Sequence, residues 1–342
     1  MSAQIHRPIL RINDPEEIRA SDIASTISAG KNIVLQFSRP SYSSSILKQL
    51  DALCHEFGEN LDVRFYGHYS SVFDCSVVQQ IPSVASLTID CLMSATNVKA
   101  LYDLPNLKAL SVGIYELEEP QLLFAGNFRA LRSLTLGETK RNSFDLSPLA
   151  SFTDLKSLGL VSHSKNIAAI SALKQLESLT LSSIKNTVRL DFVNHLTGLR
   201  DLRLILGGRT DISEVTHTTL RKLEVIRVRG LEQFSAKAFP ALEELQIEDQ
   251  IRLVKFDFCE VNSALRKILF FNCKALHSIC GLKNLPNLSQ LRISLTDLDF
   301  EQLLEQGLPQ ALKTFAFYTG KKKLNAEIRQ RLDQLGYTDG LK

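Results

Sequence analysis

Cysteine and histidine are the residue types in this chain that could bind a metal ion or act as a nucleophile with its base. Cys273, His277 and Cys280 lie close together in the sequence, with Cys259 upstream. Structural zinc is bound by such side chains, but it needs four ligands placed around one point. No second cluster of ligands accompanies this one, so we predict that the chain holds no metal ion and no other cofactor.

A catalytic role finds little support in the spacing of these residues. Cys54 and His55 are neighbours in a predicted helix, where adjacent side chains point apart and cannot form a thiol–imidazole pair. The chain carries no H-E-x-x-H motif, no nucleophile elbow, no phosphate-binding loop and no glycine fingerprint for a dinucleotide. We therefore predict that it is not an enzyme and has no catalytic residues.

The composition indicates a soluble globular protein. Of the 342 residues, 44% are hydrophobic and 23% are charged, and the net charge of +3 is too small to indicate nucleic-acid binding. No signal peptide and no run of ~18 apolar residues is present. The cysteines form no paired clusters, which favours a reducing compartment. We expect a monomeric cytoplasmic protein without membrane contact, and delivery by a secretion system that reads no cleavable signal stays open.

A nine-residue apolar phrase, L-x-x-L-x-x-L-x-L, recurs every 19 to 24 residues from Ile81 to Phe317. A fixed period in this range is typical of stacked repeats. Leu220 could also open a repeat, but Leu223 gives a full copy of the phrase through Val228, so we take Leu223 as the aligned position. The eleven aligned second leucines, or their equivalents, are Val84, Leu107, Leu131, Leu155, Leu176, Leu199, Leu223, Leu242, Leu265, Leu288 and Leu312.

The phrase predicts one short strand in each repeat. Its last two apolar residues are two apart, which is the period of a strand with one face in the core. Because all strands run in the same sense, neighbouring repeats must pair in parallel through crossover segments. Those segments carry apolar residues of their own, and we expect short helical turns or irregular backbone there.

On these residues the chain resembles the leucine-rich-repeat family over residues 81–320. The segment that begins at Leu155 is similar to the repeats of ~22 residues in internalins and phosphatase regulatory subunits. The resemblance implies an α/β fold: a right-handed solenoid, horseshoe or arc, with a parallel sheet on its concave face and short helices or loops on its convex face. The family usually has asparagine at the ninth repeat position, and this chain has none there, so we expect each turn to be satisfied differently.

Residues 1–80 read as a divergent α/β cap that continues the solenoid, and a small separate domain is the alternative. Strands are predicted over residues 8–12, 33–37 and 61–65. The first helix is predicted to start at Pro15, with Asn13 or Asp14 as its cap, and to end at Gly30.

Two further helices are predicted at the ends of the chain. One precedes Gly58, with Ile46, Leu47 and Leu50 on its apolar face. The other, within residues 321–342, is a C-terminal capping helix that ends before Gly336.

The outward strand positions are the candidate binding residues, because the resemblance implies that the concave face binds protein. They are small or hydroxylated in the first half of the repeats, as Ser133 and Gly159 show. From the sixth repeat they become charged or aromatic, which is typical of protein interfaces. The candidate partner-binding residues are Asp201, Arg203, Arg227, Arg229, Glu244, Gln246, Glu248, Lys267, Phe271, Arg292 and Tyr318.

These features favour a non-enzymatic scaffold that binds a protein partner, with an effector, inhibitor or immunity-type role. One alternative is a substrate-recognition module of a ligase-type enzymatic system. Another is weak binding of nucleic acid or phosphate by a basic rim. Glutamates interrupt this rim and would break a continuous track of phosphate contacts. The residues of this rim are Lys108, Arg132, Lys156, Arg200, Arg266 and Lys313.

Overall fold

The computed structural model describes residues 8–39, 42–67, 72–141 and 143–340. It divides into two units, Met1–Leu173 and Lys174–Lys342, which we call the N-terminal and the C-terminal unit. Within the described residues, no helix is long and apolar enough to cross a membrane.

The N-terminal unit contains seven strands of a parallel sheet in the order β1-β2-β3-β5-β7-β8-β9. Two further short strands, β4 and β6, pair with each other. The strands are β1 Ile9–Asn13, β2 Asn32–Phe37, β3 Leu61–Tyr66, β4 Phe73–Asp74, β5 Ser86–Leu92, β6 Ala95–Thr96, β7 Ala109–Ile114, β8 Ser133–Leu136 and β9 Ser157–Val161. The helices are α1 Ala20–Ser28 and α2 Ser44–Phe57.

Most return segments contain short 3-10 helices rather than α-helices. A 3-10 turn is short and tight, which suits a connection that must return to the next strand within a few residues. The 3-10 helices of the N-terminal unit are Gly58–Asn60, Cys75–Gln80, Val98–Asp103, Leu122–Phe124, Gly126–Ala130, Ser147–Ser151 and Ile167–Ala172. Those of the C-terminal unit are Asp191–His195, Ala236–Ala238 and Leu282–Asn284.

The predicted start of the first helix is wrong. The helix begins at Ala20, and Arg19 precedes it without a side-chain cap. Asp14 has a left-handed φ of 42°, and its carboxylate accepts hydrogen bonds from the backbone N–H of Ser38 at 2.7 Å and from its hydroxyl at 2.6 Å. Because these bonds hold Asp14 against the neighbouring strand, it cannot cap a helix.

The other predicted elements at the N-terminus are confirmed. The three strands form, and α2 ends at Phe57, directly before Gly58. Ser43 caps α2 by accepting a hydrogen bond from the N–H of Ile46 at 3.1 Å.

The C-terminal unit repeats the same arrangement with the sheet order β10-β11-β12-β13-β15-β17-β18. Its strands are β10 Ser178–Ser182, β11 Asp201–Ile205, β12 Lys222–Ile226, β13 Glu244–Glu248, β14 Lys255–Asp257, β15 Lys267–Phe271, β16 Ser278–Cys280, β17 Gln290–Ser294 and β18 Thr314–Tyr318. Strands β14 and β16 pair outside the main sheet. The α-helices are α3 Phe300–Glu305 and α4 Lys322–Gln334.

The predicted C-terminal helix is present, with Ile328 and Leu332 buried. It begins at Lys322 and ends at Gln334, which lies within the predicted range and before Gly336. Leu324 and Leu335, at the two ends of its apolar face, are 38% and 45% exposed. Only the middle of that face is therefore covered by the unit.

The repeat register is confirmed except at the seventh repeat. Leu202 of β11 pairs with Leu223, and Leu204 pairs with Val225. Leu223 therefore occupies the third apolar position, and Leu220 is the second leucine of this repeat. The phrase chosen from the sequence was displaced by three residues, because Ile226 and Val228 imitate its last two positions.

A left-handed residue directly follows the strand in seven repeats. In the C-terminal unit its backbone N–H donates to a carbonyl of the next strand, as Arg227 does to Glu248 at 3.0 Å and Asn272 to Ser294 at 2.8 Å. The bend thus turns the chain out of the sheet without leaving that donor unpaired. The seven residues are Ser162, Ser183, Leu206, Arg227, Asp249, Asn272 and Leu295.

Different side chains satisfy the backbone where the family would place asparagine, as the sequence predicted. Nε2 of His163 lies 2.7 Å from the carbonyl oxygen of Gly137. Nδ1 of the same ring accepts a hydrogen bond from the N–H of Phe144 at 3.3 Å. The amide of Gln250 donates to the Val225 carbonyl at 3.1 Å. Both side chains are almost fully buried, at 1% and 0% exposure.

We expect His163→Ala to lower the free energy of unfolding by about 1–3 kcal/mol, because two buried backbone groups lose their partner. Burial lowers the pKa of His163, so the folded protein favours the neutral ring. Its stabilising contribution is complete above the ordinary histidine pKa of about 6.5 and is lost as the pH falls below that value.

Urea unfolding at several pH values tests this. The difference between wild type and His163→Ala should shrink below about pH 6.5. His195→Ala, at an exposed histidine, is the control and should change stability by less than about 0.5 kcal/mol. Equal effects of the two substitutions would contradict the expectation.

Candidate functional site

The outer face of the C-terminal unit is the side of its sheet opposite the core, and three rows of side chains cross it. Each row joins residues that are register partners on adjacent strands. The first row is Ser178, Asp201, Lys222, Glu244, Lys267, Gln290 and Thr314. The second row is Thr180, Arg203, Glu224, Gln246, Leu269, Arg292 and Ala316. The third row is Ser182, Ile205, Ile226, Glu248, Phe271, Ser294 and Tyr318.

Nine of the eleven candidate residues lie on this face. Arg227 and Arg229 do not, because they follow β12 instead of belonging to it. Their predicted strand positions came from the displaced register of the seventh repeat. The outward residues of β12 are Lys222, Glu224 and Ile226.

Charged side chains in the first two rows pair with each other. The guanidinium of Arg203 lies 2.6 Å from the Glu224 carboxylate, and the ammonium of Lys222 lies 3.5 Å from it. Lys267 approaches Glu244 at 3.7 Å. Glu224 is only 7% exposed, so its charge depends on these cations for compensation. Several of the charged residues that the sequence places on this face are thus paired with each other.

A similar pair lies at the end of the strands. Nε of Arg227 donates to Asp249 at 2.7 Å, and the amide of Asn272 donates to the same carboxylate. The hydrogen bond from Arg227 holds the pKa of Asp249 below its usual range. These residues are left-handed members of adjacent repeats, so the ion pair links their turns.

An apolar stripe, interrupted in the third row by Glu248 and Ser294, runs beside the charges. Its members are half-buried side chains of the second and third rows, which leaves apolar surface available to a partner. Phe271 and Tyr318 were predicted, whereas Ile205, Ile226 and Leu269 were not. The correct register would have placed Ile226 on this face, and a search for apolar as well as charged outward residues would have found the other two. The stripe consists of Ile205, Ile226, Leu269, Phe271 and Tyr318.

The C-terminal end of this face carries two arginines around Tyr318. The Tyr318 hydroxyl donates to the carboxylate of Asp339 at 3.1 Å, and Arg329 donates to the Tyr337 carbonyl at 2.6 Å. Burial is the main reason that the pKa of Tyr318 is raised, while the positive charges of Arg329 and Arg292 act against it. This cluster fixes the Tyr318 ring at one end of the stripe.

Packing accounts for two of the small residues on the outer face of the N-terminal unit. A Cβ added to Gly137 would lie 2.8 Å from the Cα of Gly113, and one added to Gly159 would lie 3.1 Å from the Thr135 hydroxyl. A side chain at Gly137 would therefore clash with the backbone of Gly113, and one at Gly159 would require the Thr135 side chain to shift.

A polar network that the sequence did not reveal borders these small residues. Arg64 binds Asp90 through two nitrogens, at 2.8 and 3.0 Å, and lies over the ring of Tyr66. Asp62 accepts hydrogen bonds from Ser86 at 2.7 Å and from Thr88 at 3.2 Å. Burial nevertheless raises the pKa of Asp62 to about 6.

The cysteine and histidine group does not form a site. Among the residues that the structure describes, no three metal-binding side chains come together. Cys273 is buried, and its Sγ lies 3.6 Å from the Ile247 carbonyl oxygen and 3.5 Å from that of Phe271. Burial raises the pKa of its thiol to about 11. Cys273 therefore serves the turn at the family's asparagine position.

The basic rim also changes with the register. Arg221 takes the rim position that the sequence had assigned to Glu224. Two rim arginines pair with carboxylates: Arg132 with Glu59 at 2.7 Å, and Arg221 with Glu243 at 3.1 Å. These ion pairs reduce the positive charge available to phosphate.

Comparison with known proteins places this geometry in a recognised fold. No family model and no curated protein matches the sequence. Toll, in the Toll–Spatzle complex of Drosophila, aligns with 94% of this chain and 48% of its own at 14% identity, with a TM-score of 0.54. TLR13, in its complex with ssRNA13, aligns over 85% and 47% at 16% identity, with a TM-score of 0.52.

The internalin InlF of Listeria monocytogenes aligns with 81% of this chain and 89% of its own at 16% identity, with a TM-score of 0.45. The chain spans about half the length of Toll and of TLR13. Likeness at this identity shows the fold alone: an α/β leucine-rich-repeat solenoid, as the sequence predicted.

We expect Arg203→Glu to destabilise the protein by about 1–3 kcal/mol, because it leaves the buried Glu224 carboxylate beside a second negative charge. Arg229→Glu makes the same change of charge at an exposed position and should cost less than about 0.5 kcal/mol. Urea unfolding of the two variants measures the difference. Equal stabilities would show that the Arg203–Glu224 pair does not support the fold.

Proposed function

We propose that this chain, which has the leucine-rich-repeat fold, is a non-enzymatic scaffold that binds a protein partner through the outer face of its C-terminal unit. The observation that supports this is the apolar stripe of Ile205, Ile226, Leu269, Phe271 and Tyr318, set beside paired charges. Protein interfaces typically combine an apolar, aromatic centre with a polar rim.

The charge balance of the face favours a protein over a nucleic acid. The outward and turn residues from Asp201 to Arg292 contribute as many cations as anions, so the face has no net charge to attract phosphates. The five cations are Lys222, Lys267, Arg203, Arg292 and Arg227. The five anions are Asp201, Glu244, Glu224, Glu248 and Asp249.

The face is also held in place before any partner arrives. Each outward residue stands on a strand that is paired in register with a neighbour. The Arg203–Glu224 ion pair and the hydrogen bond from Gln246 to Glu248, at 2.8 Å, fix side chains on it. A surface ordered in advance loses little entropy on binding. Inhibition, recruitment or neutralisation of another protein, as by an effector or an immunity partner, needs a surface of this kind.

The alternatives have weaker support in the geometry. TLR13 is similar in fold and its complex contains RNA, but here the rim is interrupted by Glu177 and Glu243, and the outer face is neutral. A substrate-recognition module of a ligase-type system would use the same protein-binding face. It would differ from the proposed scaffold only in that the bound protein is then the substrate of the ligase-type system.

We expect Phe271→Glu to weaken partner binding at least tenfold, about 1.4 kcal/mol, because it places an uncompensated charge in the apolar stripe. Val261→Glu, at a 72% exposed residue outside the three rows, is the matched control and should bind as wild type does. Arg203 is unsuitable for this test, because its substitution disturbs Glu224.

Immobilised wild type and both variants are used to capture partners from native extract, and the affinity of the captured protein is then measured by titration. Thermal unfolding confirms that each variant is folded. A protein retained equally by wild type and Phe271→Glu would contradict binding through this face. Retention of nucleic acid that falls steeply with salt would favour the basic rim instead.

A further inference from the structure

The first strand of the N-terminal unit has one edge without a partner among the described residues. In a parallel ladder, alternate residues of a strand bond to the same neighbour. The carbonyl of Pro8 accepts from the N–H of Asn32 at 3.0 Å, and the N–H of Asp14 donates to Gln36 at 2.8 Å. The even-numbered residues therefore bond to β2. Ile9, Arg11 and Asn13 direct their N–H and C=O groups away from it.

The last strand of the C-terminal unit shows how this chain covers an edge elsewhere. The N–H of Phe315 donates to the Thr338 carbonyl at 3.1 Å, and the N–H of Thr338 donates to Lys313 at 2.9 Å. A C-terminal segment thus supplies hydrogen bonds to the free edge of β18 at the start of the strand. No described residue does the same for β1, which ends its sheet. Unprotected edges of this kind readily pair with another strand.

The open edge is also apolar. Ile9 is 52% exposed and Leu10 is 41% exposed. The register partner of Leu10 on β2 is Ile33, which is only 1% exposed. Leu10 therefore lies on the core side of the sheet and leaves the end of the core uncovered. Pairing with a further strand would bury both side chains and satisfy the edge.

We propose that this edge is a dimerisation site, where β1 pairs antiparallel with β1 of a second copy of the chain about a two-fold axis at Leu10. Ile9 and Arg11 of each copy then face Arg11 and Ile9 of the other and exchange four backbone hydrogen bonds. Leu10 meets Leu10 at the axis, where Cα atoms of a non-hydrogen-bonded pair lie about 4.5 Å apart. The two open core ends cover each other.

The sequence of β1 favours a second copy and this register. A register centred on Arg11 would place two positive charges directly opposite each other, which is destabilising. In the register centred on Leu10, Arg11 lies across from apolar Ile9 and can cover it with its aliphatic stem. Pro8 falls at a position that needs no N–H toward the partner, so its missing donor costs nothing.

This inference is independent of the proposed function, because it uses a strand of the N-terminal unit. It differs from the expectation of a monomer that the sequence alone suggested, and the two experiments below distinguish between them. Exposure of an edge can be seen only after the strands are paired.

The first experiment measures the mass of the full chain by light scattering after size-exclusion chromatography, over a range of concentrations. Wild type should approach twice the 38.3 kDa of one chain. Arg11→Pro removes an outward N–H but no bond to β2, and should weaken association at least tenfold while circular dichroism stays unchanged. A wild type that remains at the mass of one chain up to about 100 μM would overturn the proposal, since the Kd of the dimer would then lie well above that concentration.

The second experiment tests the register by cross-linking, in a background where exposed Cys91 and Cys259 are serine. Leu10→Cys should form a covalent dimer under mild oxidation, because its Cα separation across the axis suits a disulfide. Asn13→Cys is the control, and its two copies would be too far apart to link. Equal cross-linking at both positions, or at neither, would overturn the pairing.

Discussion

The parallel backbone ladder between consecutive repeats is the interaction on which the rest of each unit depends. A single repeat offers one short strand and a few leucines, which cannot form a closed core alone. Pairing each strand with the next stacks equivalent leucines, as at Leu202, Leu223 and Leu245, and this stacking buries them. In the C-terminal unit the ladder continues one residue past the strand in six repeats, where a left-handed residue donates to the next strand. Both the turn and the outer face follow from that continuation.

Much of the fold could be predicted because the period records the ladder directly. Parallel strands, return turns, α2 and the absence of an asparagine ladder all follow from spacing and residue type. The seventh repeat could not be read in this way, since Leu220, Leu223, Ile226 and Val228 satisfy the phrase in two registers. Only pairing with β11 and β13 distinguishes them. The start of α1 failed for a similar reason: Asp14 is a good cap in isolation, but Ser38, 24 residues away in sequence, takes its carboxylate.

The candidate site shows the same division between local pattern and long-range pairing. Sequence spacing identified nine charged, polar or aromatic side chains that point outward on β11, β13, β15, β17 and β18. It could not show that Arg203 and Lys222 form ion pairs with Glu224, or that Arg227 forms one with Asp249. Because of those pairs, these charged residues interact within the face and are less available to a partner. They order the face and leave its centre to Leu269 and Phe271, which a search for charge alone passes over.

A structure built by adding strands has an inherent problem at its ends, because the groups that join repeats are also present where no repeat follows. At the start of β18, Thr338 pairs with Thr314 in the place that a further strand would take. At β1 the same N–H and C=O groups are available to a further strand. Leu10, the register partner of Ile33, offers that strand an apolar contact of the kind that joins the repeats. The chemistry that builds the sheet is therefore sufficient to extend it, and what distinguishes one neighbour from another there is only side-chain complementarity. Ile9, Leu10 and Arg11 supply that complementarity to themselves when the direction of the added strand is reversed.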